Sequence, residues 1–119
     1  MNAIDLVRSF LDVATPGPGL DPDRIRPLLA EDFVADDVLM GSSGRDEFVA
    51  KIRHAASAGG GAGTEVVAIV GDDEVVAALT RFRIGSVCVT FCQWFWVGGG
   101  LIRRQQVVYD PRAFLAMRG

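Results

Sequence analysis

Between residues 64 and 109, apolar and polar positions alternate with a period of two, in four runs that read as strands. The runs are TEVVAIV (64–70), EVVAALTRFRI (74–84), SVCVTFCQWFWV (86–97) and LIRRQQVVY (101–109), with GDD, GS and GGG as the turns between them. Such short turns join antiparallel neighbours, so this half of the chain folds as a meander. The third run constrains the fold most. Val89, Phe91, Phe95 and Val97 lie on one of its faces, and Cys88, Cys92, Trp94 and Trp96 on the other. A strand that is apolar on both sides is covered on both sides. The chain's own helices can cover one face. A second copy of the chain, packed sheet to sheet, is the expected cover for the other, which predicts a homodimer.

The first half carries helical spacing instead. In residues 3–14, Ile4, Val7, Phe10 and Leu11 recur on one helix face, and TPGPG then stops the helix. Asp21-Pro22 is a cap followed by proline at the first helical position, and it predicts a short helix through residue 29. FVADDVLM reads as a strand. RDEFVAKIRHAAS (45–57) reads as a third helix with Phe48, Ile52 and Ala55 inward, and GGGAG (59–63) as a flexible loop. Asp110-Pro111 repeats the cap-plus-proline signature and opens a last helix, RAFLAM. Helices segregated ahead of a strand meander define an α+β fold, expected as one domain over residues 1–119.

Charge and cysteine content narrow the function classes. A net charge of −3 argues against nucleic acid, which calls for a basic stripe. No apolar run reaches the roughly 18 residues of a membrane span, and MNAIDLVRSF lacks a signal-peptide core. Cys88 and Cys92 lie about 13 Å apart on one strand, too far for a disulfide. With His54 the only histidine and no CxxC pair, a zinc site is not expected. The expectation is a reduced, cytoplasmic protein.

The segment AEDFVADDV (30–38) concentrates four carboxylates, Glu31, Asp32, Asp36 and Asp37. Glu31 and Asp32 are read as solvated. Asp36 and Asp37 must point to opposite faces of the strand, Asp36 with Val34 and Val38, Asp37 with Phe33, Ala35 and Leu39. Whichever face is inward therefore holds one acid among apolar neighbours. A carboxylate desolvated in that way titrates toward the working range of a general base. The competing structural reading is an acid that guards a strand edge or pairs with an arginine.

Three motifs in order, LLAEDFVADDV, GRDEFV and GGGLIRRQQVVYDPRAFL, resemble the nuclear transport factor 2-like superfamily. It houses ketosteroid isomerase, scytalone dehydratase, limonene epoxide hydrolase and the SnoaL-like polyketide cyclases. The resemblance implies a cone-shaped, curved mixed sheet with three N-terminal helices enclosing an apolar pocket. Asp37 matches the position of the general-base aspartate of ketosteroid isomerase. Two departures weigh against that enzyme's own reaction: the first helix has no tyrosine, and Cys92 stands where the oxyanion-holding aspartic acid would be. The penultimate strand also lacks the aspartate that limonene epoxide hydrolase requires. A SnoaL-like activity, with an aspartate moving a proton in an otherwise apolar pocket, remains compatible.

If Gly99-Gly100 forms a two-residue turn with regular pairing, Cys92, Trp94 and Trp96 share a face with Arg103, Gln105, Val107 and Tyr109. The resemblance makes that the pocket face. A two-residue Gly85-Ser86 turn adds Arg81 and Arg83 to it, whereas a three-residue turn adds Thr80 and Phe82. The expected site thus has Asp37 and Tyr109 as catalytic residues, with Cys92, Trp94, Gln105, Thr90 and Phe10 around a small, apolar, carbonyl-containing ligand. No cofactor and no metal are expected. The alternatives are plainer: Tyr109 and Gln105 satisfying each other, Trp94 as core, Cys92 as a small buried hydrophobe. On those terms the chain would be a non-catalytic ligand-binding or dimerisation module of the same fold.

Overall fold

The computed structural model describes residues 1–58 and 61–117, so the glycine-rich loop expected at 59–63 falls partly outside the described residues. Helix α1 (Ala3–Ala14) begins at Asn2, whose side chain accepts from the Asp5 backbone N–H at 2.8 Å. Leu6, Val7, Phe10 and Leu11 form its buried stripe. At its end, the Thr15 hydroxyl donates to the Leu11 carbonyl and Pro16 follows. The helix expected next does not form as an α-helix. Pro27 interrupts it, leaving two single 3-10 turns, Pro22–Arg24 and Arg26–Leu28.

Strand β1 (Leu29–Asp37) follows directly, four residues ahead of the expected start. A short strand β2 (Gly41–Gly44) and helix α2 (Arg45–Ala58) come next. The meander matches its expectation closely: β3 (Gly63–Gly71), β4 (Val75–Ile84), β5 (Val87–Gly98) and β6 (Leu101–Val108), then helix α3 (Arg112–Met117). The six strands form one sheet in the order β2-β1-β6-β5-β4-β3. Only β1 and β6 are parallel. Among the described residues, no helix is long and apolar enough to cross a membrane.

Helices α1 and α2 cover one face of the sheet. Phe10 packs edge-on against Phe95 with ring centroids 5.4 Å apart, and Phe48 bridges Phe10 and Phe33. Val76, Ala78 and Ile102 complete this core. Burying each such aromatic ring contributes about 2–3 kcal/mol, so the narrow end of the sheet is where stability concentrates.

One irregularity decides which side chains reach that inner face. The β5–β6 turn has the expected length, with Gly98 opposite Leu101 and both Gly99 and Gly100 at positive φ (62° and 76°). Val97 then pairs with Ile102, but Trp96 pairs with Arg104. Arg103 is the extra residue of a β-bulge, and a Cβ on Gly98 would sit 2.8 Å from its Cδ. The bulge shifts every later residue of β6 to the opposite face from regular pairing. Gln105 and Val107 therefore sit beside Phe95 and Gln93 on the inner face. Cys92, Trp94 and Trp96 share the outer face with Arg104, Gln106 and Val108.

The Gly85-Ser86 turn has two residues, with Ile84 opposite Val87. Arg81 and Arg83 accordingly share a face with Cys88, Thr90 and Cys92, and that face is the outer one. Thr80 and Phe82 point inward.

Candidate active site

Three bands of side chains run along the inner face, in the order of the β5 residues Phe95, Gln93 and Phe91. The phenylalanine core comes first. Next is a polar band across three strands, in which Gln105 Nε2 donates to Gln93 Oε1 at 2.8 Å and Gln93 Nε2 donates to Thr80 Oγ1 at 3.0 Å. All three residues are buried. The third band is aromatic. Tyr109 lies 4.5 Å from Phe91 between ring centroids, and Phe114 of α3 sits over Tyr109, Phe91 and Phe82 at 5.6, 6.1 and 5.7 Å.

Asp37 stands at the edge of this aromatic band. It ends β1 on the side of Phe33 and Ala35, as the alternation requires, and is half-buried. The Tyr109 hydroxyl donates to its Oδ1 at 2.7 Å. The same oxygen accepts the backbone N–H groups of Leu39 (2.8 Å) and Met40 (3.0 Å). Those two bonds build the turn from β1 to β2, which Gly41 closes at φ 75°. Asp-x-x-x-Gly was thus a hairpin signal. It passed unread because GSSG carries no apolar residue to mark β2 as a strand.

The other acids are accounted for outside the site. Asp36 points to the outer face, where Arg104 donates to its Oδ2 at 2.8 Å while lying 5.1 Å from the Trp96 ring centroid. Asp32 pairs with Arg103 at 2.8 Å and is exposed, as is Glu31. Asp110 holds Arg112 through side chain and backbone, and this contact lowers its carboxyl from 3.8 to about 2.

Of the residues expected in the site, Asp37, Tyr109, Gln105 and Phe10 lie on the inner side of the sheet. Phe10 belongs to the core band against Phe95, away from Asp37 and Tyr109. Cys92, Trp94 and Thr90 are corrected: all three face outward, because the bulge at Arg103 separates their face from that of Gln105 and Tyr109. Trp96 and Arg103, placed by the same regular pairing, leave the pocket face with them. In their stead the inner face brings Thr80, Gln93, Phe91 and Phe114 to the site. Bulges have no reliable single-sequence signature, so only a consistency argument could have found Gln93. Its polar side chain lies between Phe91 and Phe95 on the side the helices cover.

Two surface grooves lie elsewhere, one along Ala30, Asp32 and Arg103, the other along Cys88, Thr90 and Ala113. Neither includes Asp37 or Tyr109, and Phe114 packs against Tyr109. Among the described residues, no group of three or more histidines, cysteines and acids is placed to hold a metal ion.

Known proteins share this fold. A protein from Kribbella flavida superposes with a TM-score of 0.82 at 19% identity, over 98% of this chain and 93% of that one. A protein with a ketosteroid isomerase-like fold from Catenulispora acidiphila, in complex with trimethylamine, gives 0.78 at 15% identity, over 98% and 92%. An LEH-like epoxide hydrolase from M. tuberculosis gives 0.65 at 23% identity, over 98% and 90%. At such identities the likeness is one of fold, a fold that hosts unrelated chemistries. No curated protein matches the chain. The family model of the SnoaL-like domain matches residues 7–105, and with most of the sequence inside that match the chain belongs to the SnoaL-like family.

Proposed function

We propose that the chain is a cofactor-free enzyme that isomerises, cyclises or dehydrates a small, apolar, carbonyl-containing molecule. Asp37 takes a proton from the carbon beside the carbonyl. The electron pair moves toward the carbonyl oxygen, and the Tyr109 hydroxyl, whose one proton rests on Asp37 Oδ1 in the free protein, turns to donate to that oxygen. Asp37 then returns the proton to a second carbon, to a departing hydroxyl or, where the enolate carbon has closed a ring onto a second carbonyl, to the oxygen of that carbonyl. The observation that carries this reading is the 2.7 Å contact between Tyr109 and Asp37 on the inner face, beside Phe91 and Phe114. Among the described residues, the hydrogen bonds to Asp37 fall on Oδ1, which leaves Oδ2 to receive the proton.

The test is exchange of the methyl protons of acetophenone-type ketones in heavy water. The protein should accelerate it over buffer. Asp37→Asn should remove about 100-fold or more of that acceleration, since asparagine keeps the turn-building oxygen and loses only the base. Tyr109→Phe should cost about 100-fold through the lost donor. Exchange at the buffer rate across a panel of ketones would sink the enzymatic reading.

A second reading, a non-catalytic ligand-binding or dimerisation module, draws on two other observations. Two of the three bonds at Asp37 serve the turn alone. The outer face exposes Leu79, Trp94 and Val108 side by side, with Trp94 43% exposed. In either reading a second copy of the chain covers that face. Its apolar centre lies among Asp36, Glu65, Arg81 and Arg83, charges of both signs that suit self-complementary packing about a two-fold axis.

A further inference from the structure

The polar band inside the sheet ends abruptly. Thr80, Gln93 and Gln105 form a chain of hydrogen bonds that runs one way in the structure: Gln105 donates to Gln93, and Gln93 donates to Thr80. The direction leaves Gln105 Oε1 as the terminal group. Gln105 is only 4% exposed, and this oxygen has no partner among the described residues. A buried acceptor without a donor is costly to a fold, and native proteins retain few of them. Gln105 also lies on the same wall as the proposed base. Its β1 neighbour is Ala35, two residues before Asp37, and Asp37 itself faces Val107. With strands ~4.8 Å apart and ~3.3 Å of rise per residue, the Cα atoms of Asp37 and Gln105 are about 8 Å apart. The residues beside the two amides in the neighbouring strands, Ala35 and Ala78, are small.

We infer that the Thr80–Gln93–Gln105 chain is a specificity element, and that Gln105 Oε1 accepts a hydrogen bond from a hydroxyl the ligand carries across a ring from its reacting carbonyl. The inference deepens the proposed function and rests on its location of the site. Gln105 touches the ligand; Gln93 and Thr80 are positioning residues, because Gln93 Oε1 engages the Gln105 amide N–H and Thr80 engages Gln93 in turn. Turning both amides over would end the chain in an N–H group and favour a carbonyl at that point. The ligand class assigned is therefore a hydroxylated cyclic or aromatic ketone rather than a diketone.

The experiment compares para-hydroxyacetophenone with para-methylacetophenone, which has the same shape without the donor. Binding is followed by NMR titration, including the side-chain amide signals of Gln93 and Gln105. Wild type should bind the hydroxy ketone at least tenfold more tightly, with the Gln105 amide shifting. Gln105→Met should bring the ratio to about one, and Gln93→Met and Thr80→Val should lower it to values in between. The ratio is taken within each variant, so a loss of stability common to both ligands cancels. Equal affinities in wild type, binding of neither ketone, or a ratio kept in Gln105→Met would each overturn the inference. Methyl-proton exchange measured on the same samples separates the two claims. Exchange without discrimination removes the specificity element and leaves the enzyme; discrimination without exchange keeps the element and removes the catalysis.

Discussion

At Asp37, one carboxylate oxygen serves both a backbone turn and the Tyr109 hydroxyl, so substitution can separate the two roles. Asparagine retains that oxygen; alanine removes every bond to it. Asp37→Ala should therefore destabilise the protein by about 2 kcal/mol, and Asp37→Asn by less than half as much, read from urea denaturation. The adjacent Asp36 is a control. Its partner Arg104 is half exposed, and Asp36→Ala should change stability by at most about 1 kcal/mol. The inward placement of Asp37 was legible from alternation with Phe33 and Ala35. Its link to Tyr109 was not, because that contact joins strands 72 residues apart in the chain and depends on how β6 is phased against its neighbours.

The elements repeat that division. The β4 and β5 strands and α1 follow from periodicity and caps alone, because each buries a stripe whose spacing is visible in the sequence. The Asp21-Pro22 pair does not open an α-helix: the Asp21 side chain makes no capping bond, and Pro27 stands where a continuing α-helix needs an N–H. The phase of β6 was unreadable because one bulged residue inverts it. Two deletions test this. Removing Arg103 should leave Ile102 and Gln105 facing inward and Tyr109 on Asp37, with a folded spectrum. Removing Gln106, beyond the bulge, should turn Tyr109 to the outer face and unfold or broadly disturb the sheet by two-dimensional NMR. Helix α3 offers a pH test. Because the contact lowers the Asp110 carboxyl from 3.8 to about 2, its hold on Arg112 is intact above about pH 4 and is lost as pH falls through about 2. The Phe114 ring signals should shift across that window, and Asp110→Asn should abolish the transition.

For the whole molecule, the sheet divides two duties between its faces. The inner face carries the core, the polar chain and Asp37; the outer face carries Trp94, Leu79 and Val108 in the open. Trp94→Glu should convert a dimer to a monomer in light scattering after size exclusion, with little change in secondary structure by circular dichroism. A wild-type monomer at tens of micromolar would refute the sheet-to-sheet packing. That the third strand is apolar on both sides was legible; which side is the inside was not, since both are aromatic. The bulge at Arg103 therefore has a consequence for how this lineage can diverge. Gain or loss of a single codon at the bulge is absorbed locally, whereas the same event a few codons downstream would exchange the inner wall for the outer one. Length changes should accumulate at that hairpin, and a relative lacking the extra residue could keep the same inner chemistry with a shorter spelling.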